Sequence, residues 1–223
     1  MNNTITITSL AKDSFSIGKQ NYMPMLLNCF FYATAMLLLM KSIIGIIFTP
    51  AVICGLVLYS LKCARGEKLD IPDSFVEGFK NNRWWKMAVF SIVWYIAIVI
   101  ATILLIVPGI YLLVISVYAF YFIVEEPDDS KNAFKKSKAL VKGVGWWKTF
   151  ACLIVLSLFL YVPGIILMSV FGIDYILENE FGFQIVNLFV NSLIAPFIVS
   201  YLPLLYIRSK HTQTPLHETH AEI

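Results

Sequence analysis

Charge is what this sequence has least of. Asp, Glu, Lys and Arg together make up 14% of its 223 residues, against about 25% in ordinary soluble domains. With 59% of residues hydrophobic and a mean hydropathy of +0.77, that deficit excludes a soluble globular chain and reads as an integral membrane protein. Histidine is scarcer still, with three residues. His211, His217 and His220 all fall near the C-terminus, and the two histidines of His217-Glu218-Thr219-His220 stand three apart, where the zinc-binding helix of metalloproteases needs four. The cysteines, Cys29, Cys54, Cys63 and Cys152, are scattered in or beside apolar runs with no Cys-x-x-Cys pair, so they read as small buried hydrophobes rather than disulfide or metal ligands. There is no Ser-His-Asp set, no phosphate loop and no nucleic-acid module, and no metal or cofactor is expected. A basic region followed by a short apolar core and a small-residue cleavage site is also missing, so no removable signal peptide is expected.

Long apolar runs are what remains. Six of them reach spanning length, at about residues 22–40, 43–61, 87–107, 110–124, 149–171 and 183–207, which predicts an all-α bundle of six transmembrane helices. The chain is too short to add a separate soluble catalytic domain. It divides into an N-terminal amphipathic segment (1–21), a membrane domain (22–210) and a flexible tail (211–223). Met87 to Val124 as one helix would be about 57 Å long, and a bilayer core is roughly 30 Å thick. It must fold back, and Pro108-Gly109 is the expected hairpin turn, since Pro denies a helix its donor and Gly tolerates the turn. Trp84-Trp85-Lys86 and Trp146-Trp147-Lys148 open the third and fifth spans as interface anchors, with indoles at headgroup level and Lys reaching water. On this topology every Lys and Arg except Lys41 lies on one side. The positive-inside rule then places both termini in the cytoplasm.

Three polar segments on that side carry the amphipathic pattern. Leu10, Ser14, Phe15 and Ile17 suggest a short helix on the membrane surface, with a frayed tail as the alternative. Asp70 to Asn82 has helix-start chemistry, with Phe75 and Phe79 four apart. Pro127 to Lys142 has acids first and Lys131, Lys135, Lys136, Lys138 and Lys142 after them, the order a helix dipole favours. Asp13-Ser14-Phe15, Asp73-Ser74-Phe75 and Asp129-Ser130 each precede an aromatic span start. This suggests a surface helix plus hairpin repeated three times, although any even-span protein with short inside loops shares part of the pattern.

The spans contain no Asp, Glu, His, Lys or Arg, the side chains that ion-coupled transporters and membrane enzymes place inside the bundle. Their polar residues suit interhelical hydrogen bonds. Asn187 and Asn191, four apart, share one face of the sixth span and are the candidate polar lining, with structural glue as the plainer role. The lysine run reads either as a contact for anionic lipid headgroups or as an ordinary topogenic signal.

At Leu104-Leu105-Ile106-Val107-Pro108-Gly109-Ile110-Tyr111, and again at Ala133-Phe134-Lys135-Lys136-Ser137 to Lys142-Gly143, the sequence resembles a large group of uncharacterised six-span prokaryotic inner-membrane proteins. The group includes the enterobacterial inner-membrane proteins catalogued as an uncharacterised family, and it is similar to the glycerophosphoryl diester phosphodiesterase membrane domain. The resemblance implies a cell inner membrane and carries no catalytic residue with it. The expected function is therefore non-enzymatic: binding of membrane lipid through anionic headgroups, or of a membrane protein partner, in envelope maintenance or as an accessory or immunity factor. The alternative is a permease or exporter for a lipid-like or uncharged small substrate. A membrane enzyme would have to use Asp174, Glu178 and Glu180, the acids expected on the far side.

Overall fold

The computed structural model describes residues 5–39, 43–67, 71–172 and 178–218, and the described residues form helices and short connections only. The turn expected at Lys41, Asp174 and the last residues of the tail lie outside them. The helices are α1 (Ile7–Gln20), α2 (Tyr22–Leu39), α3 (Ile43–Arg65), α4 (Ile71–Phe79), α5 (Arg83–Leu104), α6 (Ile106–Ser116), α7 (Ala119–Glu125), α8 (Ala133–Val144), α9 (Trp146–Phe171), α10 (Glu180–Ile198) and α11 (Tyr201–Glu218). Six stretches are long and apolar enough to cross a membrane: α2, the larger part of α3, α5 with the end of α4, α6 with α7, α9, and α10 with the start of α11. This is the all-α, six-span membrane architecture expected from the apolar runs.

The spans close into a ring. Successive contacts run α2 to α3, α3 to α5, α5 to α6, α6 to α9, α9 to α10 and α10 back to α2. The three short helices follow the same cycle: α4 packs on α3, α8 on α6 and α7, and α1 on α10. Each surface helix therefore leads into one hairpin and rests on the second span of the previous hairpin.

The chemistry at these three seats is related. Apolar burial gains little between helices that face lipid, so close approach and hydrogen bonds decide the packing. Gly18 of α1 lies so close to α10 that a Cβ there would sit 2.4 Å from the Pro196 carbonyl oxygen, and a Cβ on Gly78 of α4 would sit 3.1 Å from the Ala51 carbonyl oxygen, beside Pro50. Ser14 donates its hydroxyl to the Phe197 carbonyl at 2.6 Å, in the last turn of α10, where carbonyls lose their helical partners. In α8 the corresponding serine is Ser137. It donates to the Ile115 carbonyl at 2.8 Å and accepts the Tyr118 N–H at 3.1 Å. Asp129-Ser130 lies in the 3-10 turn Pro127–Asn132, so the serine of α8 that bonds the preceding span is Ser137. The side chains of Ser74 and Phe75 lie outside the described residues.

Ser137 also explains why the fourth span is not one helix. The backbone breaks at Val117-Tyr118, although neither residue is a helix breaker, because a buried hydroxyl from α8 satisfies the groups that the break frees. The sixth span likewise breaks, at Val199-Ser200, between Pro196 in the last turn of α10 and Pro203 in the first turn of α11. Proline is tolerated in a first turn, where its missing N–H has no partner to lose. From there α11 continues to Glu218, so the segment expected to be a flexible tail from His211 is helical as far as Glu218.

The hairpin between the third and fourth spans turns earlier than Pro108-Gly109. The extended residue is Leu105, at φ −163° and ψ 139°. Pro108 occupies the first turn of α6, and Gly109 faces Thr102, whose Oγ1 would lie 2.5 Å from a Cβ. The dipeptide serves close packing of the two arms, and the reversal falls on the residue between them.

Candidate functional site

The inner segments of the three second spans converge at the end of the molecule that carries most of its Lys and Arg, called the basic end below. Leu58 and Leu61 of α3, Tyr121 and Phe122 of α7, and Leu204, Leu205 and Tyr206 of α11 are buried in one cluster. The Tyr206 ring stacks on Tyr121 with centroids 5.1 Å apart and meets Phe122 edge-on at 5.2 Å. Above this aromatic floor each inner segment ends in charge. Glu125 pairs with Arg65, receives Lys210 at 2.9 Å and accepts the Tyr206 hydroxyl at 2.6 Å. Lys210 reaches on to Glu126 at 3.2 Å. Lys62 meets Glu77 at 3.2 Å, and Arg83 donates to the Glu77 carbonyl at 3.5 Å. These groups line a cleft of about 490 Å³. Lys62, Arg65 and Lys210 are paired with acids of the same chain, so the cleft is a clasp between α3, α7 and α11. On the rim, Arg208 is buried, pairs with Asp13 and donates to Ser9 at 3.1 Å, tying α11 to α1.

The lysine run divides into two kinds. Lys136 lies between Glu126 and Asp129 and pairs with both. The Lys136 ammonium holds the Glu126 and Asp129 carboxyls below their usual range, and Asp129 and Glu126 in turn raise Lys136. Lys131, Lys135, Lys138 and Lys142 are exposed, and no acidic side chain of the described residues pairs with them. The apolar side of α8, with Ala133, Leu140, Val141 and Val144, is buried against protein. The helix is therefore mounted on the bundle and presents its lysines outward.

The two tryptophan pairs are split in the same way. Trp84 lies against Phe79 with centroids 6.2 Å apart, and Trp146 stacks on Phe150 at 5.0 Å. Trp85 and Trp147 point outward, 57% and 75% exposed. Lys148 is exposed, and Lys86 lies 3.5 Å from Asp128.

A groove of about 680 Å³ runs from Trp85 along α5 toward α6. Its walls are Val89, Phe90, Val93, Trp94 and Ala97, and its polar end is formed by Lys86, Ser130 and Lys131. The Trp94 indole is turned inward, donating to Ser116 at 2.6 Å. Cations at one end of an otherwise apolar trough suit an amphiphile with an anionic head. Lys86 and Lys131 flank the same hairpin in the sequence, which is the signal that would have paired them. The covering role of Ser130, Phe134 and the 3-10 turn had no such signal.

Asn187 and Asn191 do share a face, and they line a cavity of about 520 Å³ between α2, α9 and α10. They are also bonded to each other: the Asn191 amide donates to the Asn187 carbonyl at 2.9 Å and to its side-chain oxygen at 2.8 Å. Among the described residues no group of three or more His, Cys, Asp and Glu side chains is placed to hold a metal ion.

These features define a class, a six-span multi-pass membrane protein with surface helices seated on its second spans. No family model, curated protein or solved structure matches the chain.

Proposed function

We propose that this chain is a non-enzymatic multi-pass protein of a prokaryotic inner membrane that binds anionic phospholipid at its cytoplasmic face, with both termini on that side. The observation that carries this reading is the difference between Lys136 and its neighbours. The chain neutralises one lysine of the run with two of its own acids and leaves Lys135, Lys138 and Lys142 exposed on a helix packed against the bundle, with Lys131 exposed in the 3-10 turn before it. Each such lysine near an anionic surface contributes about 1 kcal/mol. The groove headed by Lys86 and Lys131 adds an apolar bed for an acyl chain. The charge asymmetry supports the orientation through the positive-inside rule, and the likeness of the Val107 to Tyr111 and Ala133 to Ser137 segments to prokaryotic inner-membrane proteins supports the location.

A native mass spectrum of gently detergent-released protein tests it. Stoichiometric phosphatidylglycerol or cardiolipin adducts are expected, and K131Q/K135Q/K138Q/K142Q should lose them while K136Q retains them. Equal retention of phosphatidylethanolamine, or no difference between the variants, would overturn the proposal. A co-released protein subunit without lipid would instead favour a partner-binding, accessory role.

A further inference from the structure

From the cavity between α2, α9 and α10 we infer a second binding site, for an uncharged amphiphile whose head carries both a hydrogen-bond donor and an acceptor. It does not rest on the anionic-lipid reading. Gln184, Asn187, Asn191 and Ser192 of α10 form its polar wall, and no charged side chain of the described residues lines it. Its volume of about 520 Å³ falls in the range of about 300–1,000 Å³ usual for small-molecule sites.

The hydrogen-bond inventory of that wall is incomplete. Ser192 is satisfied by the Leu188 carbonyl at 2.8 Å. Gln184 donates its amide to Glu180 at 2.7 Å, which leaves its own oxygen buried with no partner. The Asn191 amide is used twice on Asn187, and no hydrogen bond of the described residues engages the Asn191 side-chain oxygen or the Asn187 side-chain amide. In a hydrocarbon setting an unsatisfied amide is costly, and a ligand hydroxyl or amide that supplies the missing partners recovers that cost.

The rest of the cavity suits the body of such a ligand. Met36, Leu37, Leu160 and Leu188 are apolar, and Gly164 keeps the wall opposite Asn187 open, since a Cβ there would already touch the Asn187 side-chain oxygen at 3.4 Å. The described lining offers no cation or carboxylate to repay the desolvation of a charged head. A neutral monoacylglycerol-like molecule, with hydroxyls to donate and accept and a single apolar chain, fits these demands.

The test is photolabelling of the full-length protein in phosphatidylcholine vesicles with monooleoylglycerol bearing a diazirine in its acyl chain. A diazirine fatty acid serves as the charged comparison. Labelled peptides are expected from α2, α9 and α10, and unlabelled monooleoylglycerol should compete. N187L/N191L should reduce this labelling at least about tenfold, the effect of losing one well-made hydrogen bond or more. Q184L, which leaves the pair intact, should reduce it less and keeps the test available if the double variant does not fold. Labelling spread over all exposed helices, equal labelling by the fatty acid, or labelling unchanged in variants of wild-type melting temperature would overturn the inference.

Discussion

The two ends of this molecule are built by different rules. At the basic end, the inner segments α7, α11 and the second half of α3 are buried around Tyr118, Tyr121 and Tyr206, and Glu125, Arg65 and Lys210 clasp them together. At the far end, Ile103, Leu104 and Val107 of the hairpin and Val170 of α9 are between 72% and 78% exposed, and no ion pair among the described residues joins the spans. The difference follows from composition. The buried polar and charged groups of the basic end must be paired, and their pairing together with the aromatic burial holds one arrangement. The far-end residues are apolar, and there the helices satisfy their own backbones and face lipid at little cost. Uniqueness of the fold is therefore concentrated at one end.

Breaking the basic end should have the largest effect. Glu125→Ala leaves Arg65, Lys210 and the Tyr206 hydroxyl without their shared acceptor and is expected to lower stability by about 3 kcal/mol, read as an earlier thermal unfolding in detergent. Next comes Ser137→Ala. It strands the Ile115 carbonyl and the Tyr118 N–H at the break in the fourth span, a loss of about 1–3 kcal/mol, and hydrogen exchange at Tyr118 should rise with it. Gly18→Ala forces a methyl against the Pro196 carbonyl and is expected to cost about 1–3 kcal/mol, detected as faster proteolysis of α1.

The Lys136 triad gives a smaller, pH-dependent effect. Glu126 and Asp129 titrate below their unfolded values, so their contribution is full above the usual carboxylate range and fades as the pH falls through their lowered folded values. Lys136 is raised, so its contribution is full below its ordinary value of 10.5 and disappears only as the pH rises beyond that. In K136Q the acid-side loss of melting temperature should flatten, and a slope identical to wild type would remove the triad from the account. The smallest change is expected at the far end: Ile96→Ala, on the lipid face of α5, should alter stability by less than about 0.5 kcal/mol. A large loss there would erase the contrast between the ends.

The six spans were legible because uninterrupted apolar length is a property of each segment by itself. What could not be read were features created by a second segment. Nothing at Val117-Tyr118 announces a break, since its cause is a hydroxyl twenty residues on in α8. Pro108-Gly109 looked like the hairpin turn because both residues suit turns, but the same residues also suit a helix start packed closely on its neighbour, and Leu105 took the reversal. The lysines read as one run because sequence shows composition, whereas the pairing of Lys136 with Glu126 and Asp129 depends on how the 3-10 turn folds back. Asn187 and Asn191 were placed on one face by their spacing. The mutual bond that uses up the Asn191 amide was not visible, and neither was the wall that α2 and α9 put opposite it.

The cyclic seating of the surface helices has a consequence for the order of assembly during synthesis, which runs from the N-terminus. α4 finds its seat on α3 as soon as it is made, and α8 finds α6 and α7 just ahead of it. α1 is translated first, yet its seat is the Pro196 turn of α10, so Ser14 and Gly18 must wait for nearly the whole chain. The earliest helix is the last to be locked, and its docking reports that the ring is complete.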